Sequence, residues 1–137
     1  MISKELKNKL KKDNVVCAVL KEGKYYYSSE RGIKPILTWI NHGGKLLENA
    51  SIADKVIGKA AALLLVYGGI KEAYTPILSE HALWVFKDYD IEVEYDTLVP
   101  YIINRDRTGI CPMEQKVMDI RKDEEAFKVL SDFINKK

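Results

Sequence analysis

The chain is poor in the residues that most often mark catalysis or covalent bracing. Its 137 residues include two cysteines, Cys17 and Cys111, and two histidines, His42 and His81. Two distant cysteines without a secretory leader fit a reducing compartment better than a disulfide framework. A cytoplasmic protein with free thiols is therefore expected. The longest apolar run, which follows Lys59, falls far short of the roughly 20 residues needed to cross a bilayer. The opening "MISKELKNKLKKD" is basic but lacks a continuous apolar core and a small-residue cleavage site, so it does not read as a signal peptide. Neither sign of charge dominates: 22 Lys and Arg against 20 Asp and Glu leave a net charge of +2. That balance supplies no basic stripe for nucleic acid and no signal for a membrane surface. Repeats, linkers and low-complexity runs are also missing.

What is present is ordinary globular material, 47% apolar and 31% charged. The length fits one domain, residues 1–137, with enough chain to bury a core. Leu6 and Leu10 among lysines predict a short amphipathic helix over 3–12. "VVCAVLKEG" and "GKYYYSS" predict a β-hairpin turning at Glu22-Gly23, with Tyr25 and Tyr27 on one face and Tyr26 on the other. "GIKPILTWINHGG" reads as a helix with Pro35 in its first turn, ended by Gly43-Gly44 beside His42. "SIADKVIGKAAALLLVYGG" reads as a helix capped by Ser51, with Asp54 completing a capping box and Gly68-Gly69 closing it. A strand interrupted by Pro76 follows. Then come a helix capped by Ser79 and the alternating edge strand "IEVEYDTL". Pro100 opens a short helix and turn. Pro112 begins another helix, and Asp123 caps the last, whose stripe is Ala126, Phe127, Leu130, Phe133 and Ile134. Strand–helix alternation in the second half predicts parallel pairing. The expected fold class is a three-layer α/β/α sandwich with a mixed sheet of four to five strands.

Two stretches, "ADKVIGKAAALLLVYGGIKEAYTPILSEHAL" and "NRDRTGICPMEQ", resemble the DUF1893 family of uncharacterised prokaryotic proteins. The resemblance runs from about Val15 to Phe133 and rests on D-K-V-x-G-K-A-A-A and G-x-C-P-M-E. It implies a cytidine deaminase-like fold and no settled activity. A zinc deaminase needs His or Cys with Glu at one helix start and Pro-Cys-x-x-Cys at the next. Here the corresponding stretches read "SIADKVIGK" and "LSEHAL", so the zinc ligands are missing and no metal or other cofactor is expected.

In such a fold two helix starts meet at a pocket, where backbone N–H groups favour an anion. Asp54, Lys55, Lys59, Ser79, Glu80 and His81 would then lie in or near it. Lys55 and Lys59, four apart, would share a helix face with the small Gly58 and Ala62. Asn104, Arg105 and Arg107 add donors suited to phosphate or carboxylate, although a loop arginine pairs as readily with Asp106. The plain readings are solvated lysines, a capping aspartate, and a His81 with no visible partner.

Cys111 falls at the N-cap position before Pro112. A helix start favours thiolate, but Glu114 at the third helical position would reach back to the cap's N–H and oppose it. Cys17 reads as an inert buried thiol.

The leading expectation is a module that lost zinc chemistry and kept a pocket for a small anionic or nucleotide-like ligand. One alternative is a metal-independent enzyme using Cys111 with Glu80, His81 or Asp54. Another is a structural or assembly subunit forming a homo-oligomer. Nucleic acid and membrane are not expected partners.

Overall fold

The computed structural model describes residues 2–11, 15–30, 32–41, 45–103, 109 and 111–135. His42, Gly43, Gly44, Asn104, Arg105, Asp106 and Arg107 lie outside the described residues, and with them the expected helix stop and loop cations.

The chain opens with helix α1, Lys4–Lys9. The Ser3 hydroxyl caps it, accepting the Leu6 N–H at 3.1 Å. The hairpin follows as expected, β1 at Cys17–Lys21 and β2 at Lys24–Ser28. Glu22 (φ 49°) and Gly23 (φ 80°) both adopt left-handed backbone, as a two-residue hairpin turn requires. Tyr25 and Tyr27 stand side by side on one face, ring centroids 6.3 Å apart. Helix α2, Lys34–Ile40, carries Pro35 in its first turn, where its missing N–H costs nothing.

The next segment departs from expectation. Ser51 does not cap a helix. Ser51–Asp54 is strand β3 and Val56–Ile57 is strand β4, and helix α3 begins only at Lys59 and runs to Gly68. All four β3 residues are buried, the mark of a parallel strand covered on both faces. The Ser-x-x-Asp spacing was a coincidence with capping grammar. Lys55 and Lys59 consequently share no helix face, because Lys55 sits between two strands.

Strand β5, Glu72–Ser79, passes straight through Pro76. β3 pairs in parallel with Glu72–Tyr74 and β4 with Ile77–Leu78, while β6, Glu92–Val99, lies parallel along the other side. Pro76 thus falls opposite the gap between β3 and β4, where no ladder N–H is needed. The burial alternation slips there: Ala73 and Thr75 are buried, Ile77 is exposed, and Leu78 is buried again. β1 joins antiparallel to both β2 and β3. Among the described residues the sheet therefore has six strands, not four to five, and is mixed as predicted.

Helix α4, Glu80–Asp88, α5, Pro112–Lys116, and α6, Asp123–Asn135, complete the fold. Asp123 is the first residue of α6. No helix spans Tyr101–Ile103, so the expected helix after Pro100 is not found among the described residues.

Helices α2 to α6 cover one face of the sheet. Their Ile36, Leu63, Phe86, Val117 and Leu130 pack with Val19, Ile52, Ile57 and Leu78 from the strands. α3 runs through the middle, and every residue from Ala60 to Leu65 is buried, the expectation for a helix apolar all round. α1 covers the other face with Ile2, Leu6 and Leu10 over Ala18 and Ala53. Lys7 pairs with Glu94, and the Lys9 ammonium sits 4.7 Å over the Tyr25 ring. The result is an α/β sandwich whose two helical layers differ greatly in size.

Candidate functional site

Helix α3 begins without a cap of its own. Its N-cap is Gly58, which has no side chain to accept the first N–H groups. Glu114, 55 positions beyond Lys59, supplies the cap. One carboxylate oxygen accepts the Lys59 N–H at 2.7 Å and the other accepts the Ala60 N–H at 2.8 Å. The expected capping box from Glu114 back to Cys111 is therefore not what forms. A carboxylate at a helix start gains from both the hydrogen bonds and the dipole. Gly58 is required for the approach, since a Cβ there would lie 2.4 Å from Glu114 Oε1. Cys111 does occupy the N-cap position of α5, but its side chain makes no cap hydrogen bond and the helix is only five residues long.

Two cavities flank Glu114. The larger, about 380 Å³, has walls from Ile33, Val56, Ile102, Ile103 and Met113, together with Val16, Ala60 and Ala61. Its polar groups are Asp54, Lys55, Cys111 and Glu114. Asp54 ends β3 and is only 4% exposed. Burial pushes its carboxyl up to about 7, against hydrogen bonds from the Val56 N–H, the Cys17 thiol and the Lys55 N–H, which favour the anion. Behind it, Cys17 is fully buried, and burial and the neighbouring Asp54 push its thiol well above the ordinary range. The sequence reading of Cys17 as an inert packing residue missed this contact with Asp54. A buried carboxyl poised near neutrality, on an otherwise apolar wall, can both donate and accept a hydrogen bond.

The smaller cavity, about 50 Å³, is lined by Lys59, His81, Tyr101, Met118 and Glu114. The Lys59 ammonium donates to the Met118 carbonyl at 2.9 Å. Desolvation lowers its pKa, while Glu114 and Asp119 pull the other way. Ser79 and Glu80 line neither cavity. Ser79 is buried, and its hydroxyl caps α4 by accepting the Ala82 N–H at 3.1 Å. Glu80 is exposed in the first turn of that helix. Asp54, Lys55, Cys111 and Glu114 are thus brought together, Lys59 and His81 meet on the other side of Glu114, and Ser79 and Glu80 stand apart. Among the described residues, no group of three His, Cys, Asp or Glu is placed to hold a metal ion. No helix among them is long and apolar enough to cross a membrane.

The family profile described as a domain of unknown function, DUF1893, matches residues 5–134. The chain belongs to the DUF1893 family. A solved structure of a DUF1893 family protein (TM1506) from Thermotoga maritima superposes with a TM-score of 0.84 at 23% identity. The match covers 96% of this DUF1893 chain and 92% of that one, and it establishes a shared fold. None of the curated proteins compared matches the chain.

Proposed function

We propose that this DUF1893 protein is a small-molecule-binding module, and that the larger cavity takes a compact planar ligand with a hydrogen-bonding edge, of nucleobase type. The observation that carries the reading is the buried Asp54 carboxyl set into an otherwise largely apolar cleft of about 380 Å³. Apolar walls suit the faces of a heterocycle, and a carboxyl near neutrality suits an edge that presents an amino group beside a ring nitrogen. A bare anion is not the ligand of this cleft, since Glu114 already holds the Lys59 and Ala60 N–H groups. On this reading the scaffold is cytidine deaminase-like with its zinc positions given over to other residues. What supports that is the order hairpin, α3, β5, α4, β6, and the Gly58-Lys59 start of α3 in place of a His-x-Glu or Cys-x-Glu. A cytoplasmic setting belongs to the same proposal and rests on the two free thiols.

The test is thermal denaturation against a panel of nucleobases, nucleosides and nucleotides. A ligand at 100 times its Kd adds about 2.7 kcal/mol to stability, a rise of several degrees in a chain of this size. The response should be lost in Asp54→Asn. If no member of the panel raises Tm, or Asp54→Asn responds as the parent does, the reading is wrong. The metal-independent enzyme has one observation in its favour, that Cys111 and Asp54 line the same cleft. Its other expected members are elsewhere, His81 across Glu114 and Glu80 at the surface.

A further inference from the structure

The outer strands of the sheet differ in kind. Among the described residues β2 pairs only with β1, and β6 only with β5. β6 is guarded by charge, since Glu92, Glu94 and Asp96 recur at every second residue. Two copies of β6 paired antiparallel about Val93, Glu94, Tyr95 or Asp96 would set carboxylate against carboxylate. β2 carries no acid. It has one lysine at its start and three tyrosines in its middle, of which Tyr26 is 36% and Tyr27 47% exposed. We propose that β2 is the edge through which two copies of this chain pair antiparallel about a two-fold axis, so that one sheet runs through both.

Three arguments carry it. The first is the direction of the backbone. Glu22 and Gly23 make a two-residue turn with both φ positive, which sets the main-chain groups of Lys21 and Lys24 facing each other. The Ser28 carbonyl also faces β1, accepting the Val16 N–H at 2.8 Å. Alternation along the strand then turns the N–H and C=O of Tyr25 and Tyr27 away from β1, toward the open edge. The second is register. Pairing centred on Tyr26 sets Tyr25 opposite the partner's Tyr27, so the outward groups of each satisfy the other, and sets Lys24 opposite the partner's Ser28, so no like charges meet. The third is the side chains. Tyr25 and Tyr27 stand nearly parallel on the α1 face, with 6.3 Å between ring centroids and 7° between planes. The Lys9 ammonium lies 4.7 Å over the Tyr25 ring. A second copy continues this row of rings, and cross-strand aromatic pairs are favourable. Tyr26, opposite Val19, lies on the other face and meets its own copy at the axis. The contact uses both β2 edges, so assembly closes at two chains. No residue of β2 lines either cavity, and the pairing therefore stands apart from the binding reading.

The experiment is light scattering after size exclusion, from micromolar to millimolar protein, with circular dichroism as the folding control. The parent should approach twice the 15.7 kDa of one chain as concentration rises. Tyr27→Pro removes an N–H that β1 does not use and should hold the protein monomeric, whereas Tyr27→Thr keeps that N–H and should still dimerise, more weakly. Cysteine cross-linking tests the register without relying on the proline variant. In a Cys111→Ser background, Tyr26→Cys brings two thiols together across the axis, with Cα atoms about 4.5 Å apart. Oxidised glutathione should convert it to a disulfide-linked dimer, while Tyr27→Cys, which faces the partner's Tyr25 instead of its own copy, should stay largely uncross-linked. A parent that is monomeric throughout overturns the proposal. So does a dimer that persists undiminished in folded Tyr27→Pro, or a Tyr27→Cys that cross-links as fast as Tyr26→Cys.

Discussion

Replacing Gly58 with alanine places a methyl group 2.4 Å from Glu114 Oε1 and 2.6 Å from its carboxyl carbon. Neither distance is tolerable. The backbone at Gly58, φ −103° and ψ −175°, is open to any residue, so conformational strain contributes nothing. What must give is the carboxylate, and moving it breaks its bonds to the Lys59 and Ala60 N–H groups. A hydrogen bond to a charged group contributes about 1.5–3 kcal/mol, and loss of a helix N-cap costs about 0.5–2 kcal/mol. Because these describe the same contact, they overlap rather than add, and Gly58→Ala should destabilise by about 2–3 kcal/mol. Glu114→Ala should cost a similar amount. The double variant decides the matter. Once the carboxylate is gone the alanine methyl meets nothing from it, so Gly58→Ala in the Glu114→Ala background should cost well under 1 kcal/mol. The coupling between Gly58 and Glu114 should thus be about 1–2 kcal/mol, measured by urea unfolding of all four proteins. If the two substitutions add within about 0.5 kcal/mol, the cap is not what ties α5 to α3.

Asp54 sets a pH dependence of unusual sign for a carboxylate. Its folded pKa of about 7 lies above the ordinary 3.8, so the native state keeps a proton that the unfolded chain releases. Its contribution is fully present below pH 4 and is lost as pH rises through 7. Unfolding free energies of the parent and Asp54→Asn, measured from pH 4.5 to 8, should diverge by up to about 3 kcal/mol, the parent losing ground at the alkaline end. Parallel profiles would contradict burial as the cause of the raised Asp54 pKa. The two thiols should separate by reactivity with an aromatic disulfide reagent. Cys111, partly exposed in the cleft, should label in the native protein, whereas Cys17 should label only on unfolding, and a cleft ligand should slow Cys111. Equal labelling rates would remove Cys111 from the cleft wall.

Where local grammar and tertiary context agreed, the elements could be read from the chain. The hairpin was visible because Glu22-Gly23 sits between two alternating runs, and α4 because Ser79 is both cap and boundary. The failures have one cause. Ser51–Ile57 was mistaken for helix because a buried parallel strand has no alternation to display, and Ser-x-x-Asp imitates a cap. The true start of α3 carries no signal of its own, since its capping group is a glutamate in another helix. Pro76 suggested a broken strand, and only the partner strands reveal the gap that accommodates it. The site was half legible. Asp54, Lys55, Cys111 and Glu114 were named, though Asp54 completes no capping box and Glu114 caps α3 rather than reaching back to Cys111. The apolar walls, Ile33, Ile102, Ile103 and Met113, arrive from separate segments, and no spacing along the chain announces them.

The capping of α3 by Glu114 has a consequence for synthesis. Chains emerge from the ribosome from the N-terminus, and a helix of 10 residues is marginal in water without its tertiary partners. The central helix here reaches its final state only after Glu114 has been added and α5 has docked. Until then the Lys59 and Ala60 N–H groups lack the carboxylate that accepts them in the native state, and the cleft that Glu114 helps to line is incomplete.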